Sequence, residues 1–198
     1  MNKSFELARL KDISVITLGY QFREKILPIS MGNISVIQMS NITDNYTLNT
    51  NNLIKTCIKE DELKEEHYLL QDDILFTPRG YKNFATLIDR PLEKTIAASH
   101  FYIIKIKEQK RITPSYLVWY INQKPAQEYF KKHAAGTRIP IINRKLLGQL
   151  IISIPDIETQ IKITKIYNLS LRENFLLKEI QKKRKLFIET FLLKQLND

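Results

Sequence analysis

From the N-terminus to Ile106 the apolar positions come in short runs broken by polar turns. Leu7, Leu10 and Ile13 recur at steps of three and predict a short helix, whereas 14–18 reads better as a strand. Ile34, Val36 and Ile37 within 32–42 predict another strand. It runs into 43–52, a stretch of Asn and Thr that predicts a loop of locally capped turns. The charged stretch 58–67 predicts a solvated turn of helix. Asp73-Ile74-Leu75-Phe76 is a short apolar strand ending in a Pro78-Arg79-Gly80 turn, and 84–88 and 100–106 continue as β-branched and aromatic strands, with His100 placed in the last as a structural residue.

Past this point the rhythm changes. Pro114 stands where a helix begins, and Tyr116, Leu117, Tyr120 and Ile121 follow at helical spacing, so Tyr116, Trp119 and Tyr120 read as core rather than as stacking platforms. A second helix is expected over 125–133 with Tyr129 and Phe130 on one side, then a loop over 135–140 and a strand over 149–155. From Asp156 to the C-terminus there is neither Gly nor Pro, enough for a helix of roughly 60 Å with Asp156 as N-cap and Gln160 following. Leu177, Ile180, Arg184, Phe187 and Phe191 follow at steps of 3, 4, 3 and 4, a heptad rhythm with a basic residue in the seam. Such a stripe needs cover, either from its own domain or from a partner helix. The expected fold class is α+β: a sheet-rich domain with short helices over 1–155, then a long helix over 156–198.

The chain is 43% hydrophobic with nine Phe and nine Tyr, sufficient for a core and against disorder. Its net charge of +10 points to nucleic acid first and acidic membrane surfaces second. The abundance of Asn, Ile and Lys also fits an AT-rich coding sequence, which raises Lys content without any partner. The single Cys57 allows neither an intramolecular disulfide nor a cysteine-based zinc site. No apolar run approaches the ~18 residues of a membrane span and the N-terminus lacks an apolar leader, so a cytoplasmic protein is expected.

Motifs for chemistry are sparse. There is no GxGxxG, no Walker phosphate loop, no HExxH and no GxSxG elbow, and His67, His100 and His133 lack ligand spacing. Five glycines leave little room for an S-adenosylmethionine loop. The one nuclease-like pattern is Asp44 followed by Glu62-Leu63-Lys64, which could hold Mg²⁺ but lies in a charged run rather than on a core strand.

Several segments stand out when taken in order: Leu10-Lys11-Asp12-Ile13, Gly19, Ile37-Gln38-Met39-Ser40-Asn41-Ile42, and 70–80. Next come 114–122, Gly136-Thr137, 151–155, and Gln160 at the head of the last helix. Together they resemble the target-recognition domain of Type I restriction–modification specificity (S) subunits, followed by their spacer helix. Two places depart from the family pattern: Asp72-Asp73 where Gly-Asp is usual, and Pro155-Asp156-Ile157 where Pro-Pro-Leu is usual. The resemblance implies a half-length S subunit with one recognition domain and one spacer. Two copies would pair as an antiparallel coiled coil and serve as a scaffold for methyltransferase (M) subunits and a restriction (R) subunit. Such a chain is not itself an enzyme and carries no cofactor; S-adenosylmethionine is expected on the M subunit.

On this reading the polar loops must meet double-stranded DNA. Arg79 is the candidate guanine reader, with Tyr81 and Lys82 beside it. Gln38 and Asn41 are candidate adenine readers, although Asn41 equally suits a turn cap. Lys131, Lys132, Thr137 and Arg138 suit phosphates, with Asn143, Arg144 and Lys145 adding backbone contacts. Dimerisation falls to Leu169, Leu176, Leu177, Ile180, Phe187 and Phe191. The run Lys182-Lys183-Arg184-Lys185 is either a solvated face or a contact to DNA or an acidic partner surface. Two alternatives stand beside this: a stand-alone coiled-coil nucleic-acid-binding regulator or decoy, and a small Mg²⁺ nuclease using Asp44, Glu62 and Lys64.

Overall fold

The computed structural model describes residues 5–136 and 139–195. It divides into two units, one ending at Gln160 and one beginning at Ile161. Within the first unit, strand β5 (Ile74–Phe76) is buried along its whole length. A continuous apolar triplet of this kind needs cover on both faces, and it receives it. It pairs antiparallel with β8 (Tyr102–Ile106) on one side and β6 (Ala85–Leu87) on the other. Strand β2 (Ser14–Leu18) completes the four-stranded sheet in the order β2-β8-β5-β6.

A second sheet has β3 (Ile34–Ile37) at its centre, antiparallel to β4 (Ile54–Thr56) and parallel to β7 (Thr95–Ala97). The two sheets share a core of Ile37, Leu69, Leu75, Ile88, Ala97, Phe101 and Ile103. Alternation then sends Val36, Ile34 and Ile96 to the far side of the three-stranded sheet, under Tyr20, Phe22 and Tyr68. On the other face of the four-stranded sheet lie α2 (Pro114–Ile121) and α3 (Lys124–His133), with Phe130 against Phe76 at 5.2 Å between ring centroids. Tyr116 is buried, and burial pushes its hydroxyl up to about 12, so it stays protonated and donates to the Ser153 carbonyl at 2.6 Å. Trp119 and Tyr120 are half-buried beside it.

Strand β6 would expose its outer edge, but Asn122, just past α2, closes it. Its amide donates to the Ala85 carbonyl at 2.9 Å and accepts from the Ala85 N–H at 2.8 Å, as a neighbouring strand would. Asn122→Ala is expected to lower the unfolding free energy by about 2 kcal/mol, because both backbone groups lose their partner. The urea midpoint should fall with the slope unchanged.

Three expectations need correction. The helix expected through Leu7 is strand β1 (Glu6–Arg9), which pairs antiparallel with β9 (Ile151–Ile154); only α1 (Leu10–Ile13) is helical. Tertiary pairing overrides the local spacing there. The stretch 58–67 forms two 3₁₀ turns, Glu60–Glu62 and Glu65–His67, the second fixed by the Lys64 N–H donating to His67 Nδ1. His100 stands in an exposed turn after Ala98, not in a strand. Nor does the sequence signal β4, β7 or the five-residue α4 (Arg144–Gly148).

Helix α5 (Ile157–Lys194) begins where expected. Asp156 caps it, accepting from the Thr159 N–H at 2.8 Å. Beside the expected row of Leu177, Ile180, Arg184, Phe187 and Phe191, α5 carries a longer heptad that shares Ile180 and Phe187 with it: Ile166, Glu173, Ile180 and Phe187 in one position and Leu169, Leu176, Lys183 and Thr190 in the other. Ile166, Leu169, Leu176, Ile180 and Phe187 are exposed. No helix of the described residues is long and apolar enough to cross a membrane.

Candidate nucleic-acid interface

Beyond β5 the chain makes the turn that carries Arg79. The Thr77 N–H donates to the Phe84 carbonyl at 2.9 Å, and the Asn83 amide donates to the Thr77 carbonyl at 3.0 Å, so the base of the loop is closed. Gln127 on α3 donates to the Asn83 carbonyl at 2.7 Å. Gly80 has φ +111° with open space around it, so the turn requires glycine for its backbone conformation alone.

The next partner comes from far along the chain. The Gly80 N–H donates to the Pro140 carbonyl at 3.0 Å, and the Ile142 N–H donates to the Pro78 carbonyl at 2.8 Å. Ile141 in turn exchanges hydrogen bonds of 2.8 and 3.1 Å with Ala135. The loop of Arg79 and the loop after α3 are therefore joined through their backbones. A third loop joins them: Thr77 Oγ1 contacts Met39 Sδ at 3.9 Å, and Tyr46 (φ 60°) stacks on Phe84 at 4.6 Å.

The predicted site residues fall on this cluster unevenly. Arg79, Tyr81 and Lys82 are exposed on the closed loop, Tyr81 at 85%. Lys131 and Lys132 are exposed in the last turn of α3, where cations also favour the helix dipole. Gln38 is half-buried at the head of the Met39–Asn41 turn. Asn41 is buried: its Oδ1 accepts from the Gln38 N–H at 2.8 Å and its amide donates to the Asn52 carbonyl at 3.3 Å. It ties the loop together and is not presented as a base reader. Asn143 caps α4, its Oδ1 accepting from the Leu146 N–H at 2.8 Å. Thr137 and Arg138 lie outside the described residues.

Asp44 and Glu62 do not share a site. Asp44 is on the loop that carries Tyr46, whereas Glu62 lines a groove with Tyr20, Phe22 and His67 in which Asp44 has no part. Among the described residues no three His, Cys, Asp or Glu gather into a group that could hold a metal.

Arg79 lines a groove of about 450 Å³ together with Gln21, Tyr102 and Arg144. Gln21 and Tyr102 carry no pattern in the sequence that marks them; the β5–β8 pairing sets Tyr102 opposite Phe76, near Arg79, and the β2–β8 pairing with the turn after β2 brings Gln21 there.

Residues 2–186 match the family model described as the Type I restriction modification DNA specificity domain. No curated protein matches. Among solved structures, the S subunit of a Type I restriction–modification system from M. genitalium is 15% identical, with TM-score 0.57 over 85% of this chain and 39% of that one. A chain from work on complex assembly and conformational transition of the type I R-M system is 12% identical, with TM-score 0.65 over 92% of this chain and 42% of that one. The HsdS subunit from Thermoanaerobacter tengcongensis is 13% identical, with TM-score 0.62 over 91% of this chain and 40% of that one. The chain thus spans about two fifths of the length of these relatives, which it resembles in fold. With a family match across nearly its whole length, the chain belongs to the Type I restriction modification DNA specificity domain family.

Proposed function

We propose that this chain is the DNA-reading component of a Type I restriction–modification system. It recognises one half of a bipartite duplex site and performs no catalysis itself. The observation that carries the reading is the joining of three polar loops around Arg79, beside a groove whose lining holds two guanidinium groups and no carboxylate. Arg79 reads guanine O6 and N7 from a turn whose backbone is held on both sides. Lys131 and Lys132 meet phosphates. The apolar stripe of α5, from Leu169 to Phe191, pairs with the same stripe of a second copy in antiparallel fashion. Methyltransferase subunits, carrying S-adenosylmethionine, dock on that scaffold, and a restriction subunit joins them.

The test is selection from a random duplex library by the chain together with its methyltransferase subunit. An enriched interrupted palindrome is the expected result, because two-fold symmetry of the protein imposes itself on the site. A library that returns unenriched overturns the reading. Arg79→Ala should weaken binding to the selected site by about 1–3 kcal/mol and relax preference at one position per half-site. Competition titrations against single-base variants of the site measure both effects.

A further inference from the structure

The Arg79 groove has a neighbour. Arg144 forms a wall of both, and on its other side Lys11, Arg144 and Lys145 line a second concavity of about 380 Å³ with Ser14, Gly148 and Gln149. Lys11 reaches this place through packing rather than sequence. A Cβ on Gly148 would stand 3.2 Å from the Lys11 Cβ, so the absence of a side chain on α4 lets α1 lie against it.

Four cations line the two concavities and no carboxylate does, in a chain with 21 Asp and Glu among 198 residues. Glu6, the acid nearest α1 on its N-terminal side, is engaged elsewhere, in an ion pair with Arg111. Other grooves are mixed in charge; one holds Glu93 with Lys55 and Lys94, another Glu24 and Glu62 with Arg23 and Lys25. Among the described residues no ion pair engages Lys11, Arg79, Arg144 or Lys145. Cations held together without counter-ions repel each other, and an extended polyanion relieves that repulsion along its whole length.

We propose that Lys11, Arg144 and Lys145 form a phosphate track, continuous through Arg144 with the groove of Arg79, along which one strand of the DNA backbone runs. The track rests on the DNA-reading function proposed above and adds to it a division of labour. Arg79 reads sequence at one end, and the three cations beyond it fix the register of the duplex without reading bases.

The test compares two triple variants of the full chain by fluorescence anisotropy with duplex DNA across a salt series. One carries Lys11→Gln, Arg144→Gln and Lys145→Gln; the other removes the same charge elsewhere through Lys25→Gln, Lys55→Gln and Lys64→Gln. Glutamine keeps most of each aliphatic stem, and unchanged thermal unfolding shows that both variants are folded. The track variant should flatten the slope of log affinity against log salt by about 2 to 3, near 0.9 for each phosphate that is no longer neutralised. It should weaken selected and random duplexes by the same factor, and the control should retain the wild-type slope. If the two triples flatten the slope equally, the effect is that of net charge and the track is overturned. The track is also overturned if its variant loses discrimination between selected and random duplexes while keeping the slope. A wild-type chain that binds no duplex at any salt overturns the DNA-reading function, and the track with it.

Discussion

Gln160→Leu is expected to lower the stability of the residue 5–160 unit by about 3–5 kcal/mol. Gln160 sits in the first turn of α5 and is fully buried. Its Oε1 accepts from the Thr113 N–H at 2.8 Å, while its amide donates to the Arg111 carbonyl at 3.0 Å and the Pro155 carbonyl at 2.8 Å. One side chain thus satisfies backbone groups on the approach to α2, at the end of β9 and beside α5. Leucine fills nearly the same volume, so little of the loss comes from a cavity. What remains is up to three backbone groups without partners, each costing about 1–3 kcal/mol where water cannot reach. For a unit of this size that corresponds to a fall in melting temperature of roughly 10 °C. A fall of only a degree or two would show that water replaces the amide and that Gln160 is not the brace the geometry describes.

Gln160 also marks how far the sequence could be read. Its place after the Asp156 cap is visible, but its partners at Thr113 and Arg111 lie 47 and 49 residues away, and nothing local announces them. The same division holds throughout. Ile34–Ile37, Ile74–Phe76 and Ile151–Ile154 declare themselves as strands because large apolar residues, many of them β-branched, cluster between polar turns. Ile54–Thr56 and Thr95–Ala97 are three residues each and exist because β3 lies between them. Each has only one large apolar residue, Ile54 or Ile96, so neither stands out from its surroundings as the equally short but wholly apolar Ile74–Phe76 does. In the candidate interface Arg79 is legible from Pro78 and Gly80 on either side. Its meeting with Pro140 and Ile142 is not, since backbone hydrogen bonds leave no mark on side-chain identity. Asn41 shows the converse: its residue type suits a reader and a cap equally, and only its burial chooses the cap.

The largest expected effect on assembly concerns α5. In a parallel pair of identical helices Glu173 would face Glu173 and Lys183 would face Lys183, placing like charges in the seam. In an antiparallel pair each residue of one heptad position meets the other position of its partner. A register centred on Lys178 places Ile180 against Leu176, Phe187 against Leu169 and Glu173 against Lys183. Every one of these layers is then apolar or of opposite charge. Ile180→Asp puts a carboxylate into two symmetry-related layers against Leu176, at a cost of about 3–5 kcal/mol or more, and should convert a dimer near twice 23.4 kDa into a monomer by light scattering. Lys183→Glu alone should weaken the dimer by roughly 10- to 100-fold by setting Glu against Glu, and Glu173→Lys alone should do the same with Lys against Lys. Combining the two restores opposite charges in both layers and should recover most of the lost affinity. Recovery distinguishes the antiparallel register from any other, because in a parallel pair the double variant still opposes like charges and gains nothing. A wild-type chain that stays monomeric at every concentration would remove the two-copy arrangement. It would also remove the reason for an interrupted palindrome, and leave the loops around Arg79 to read a single half-site.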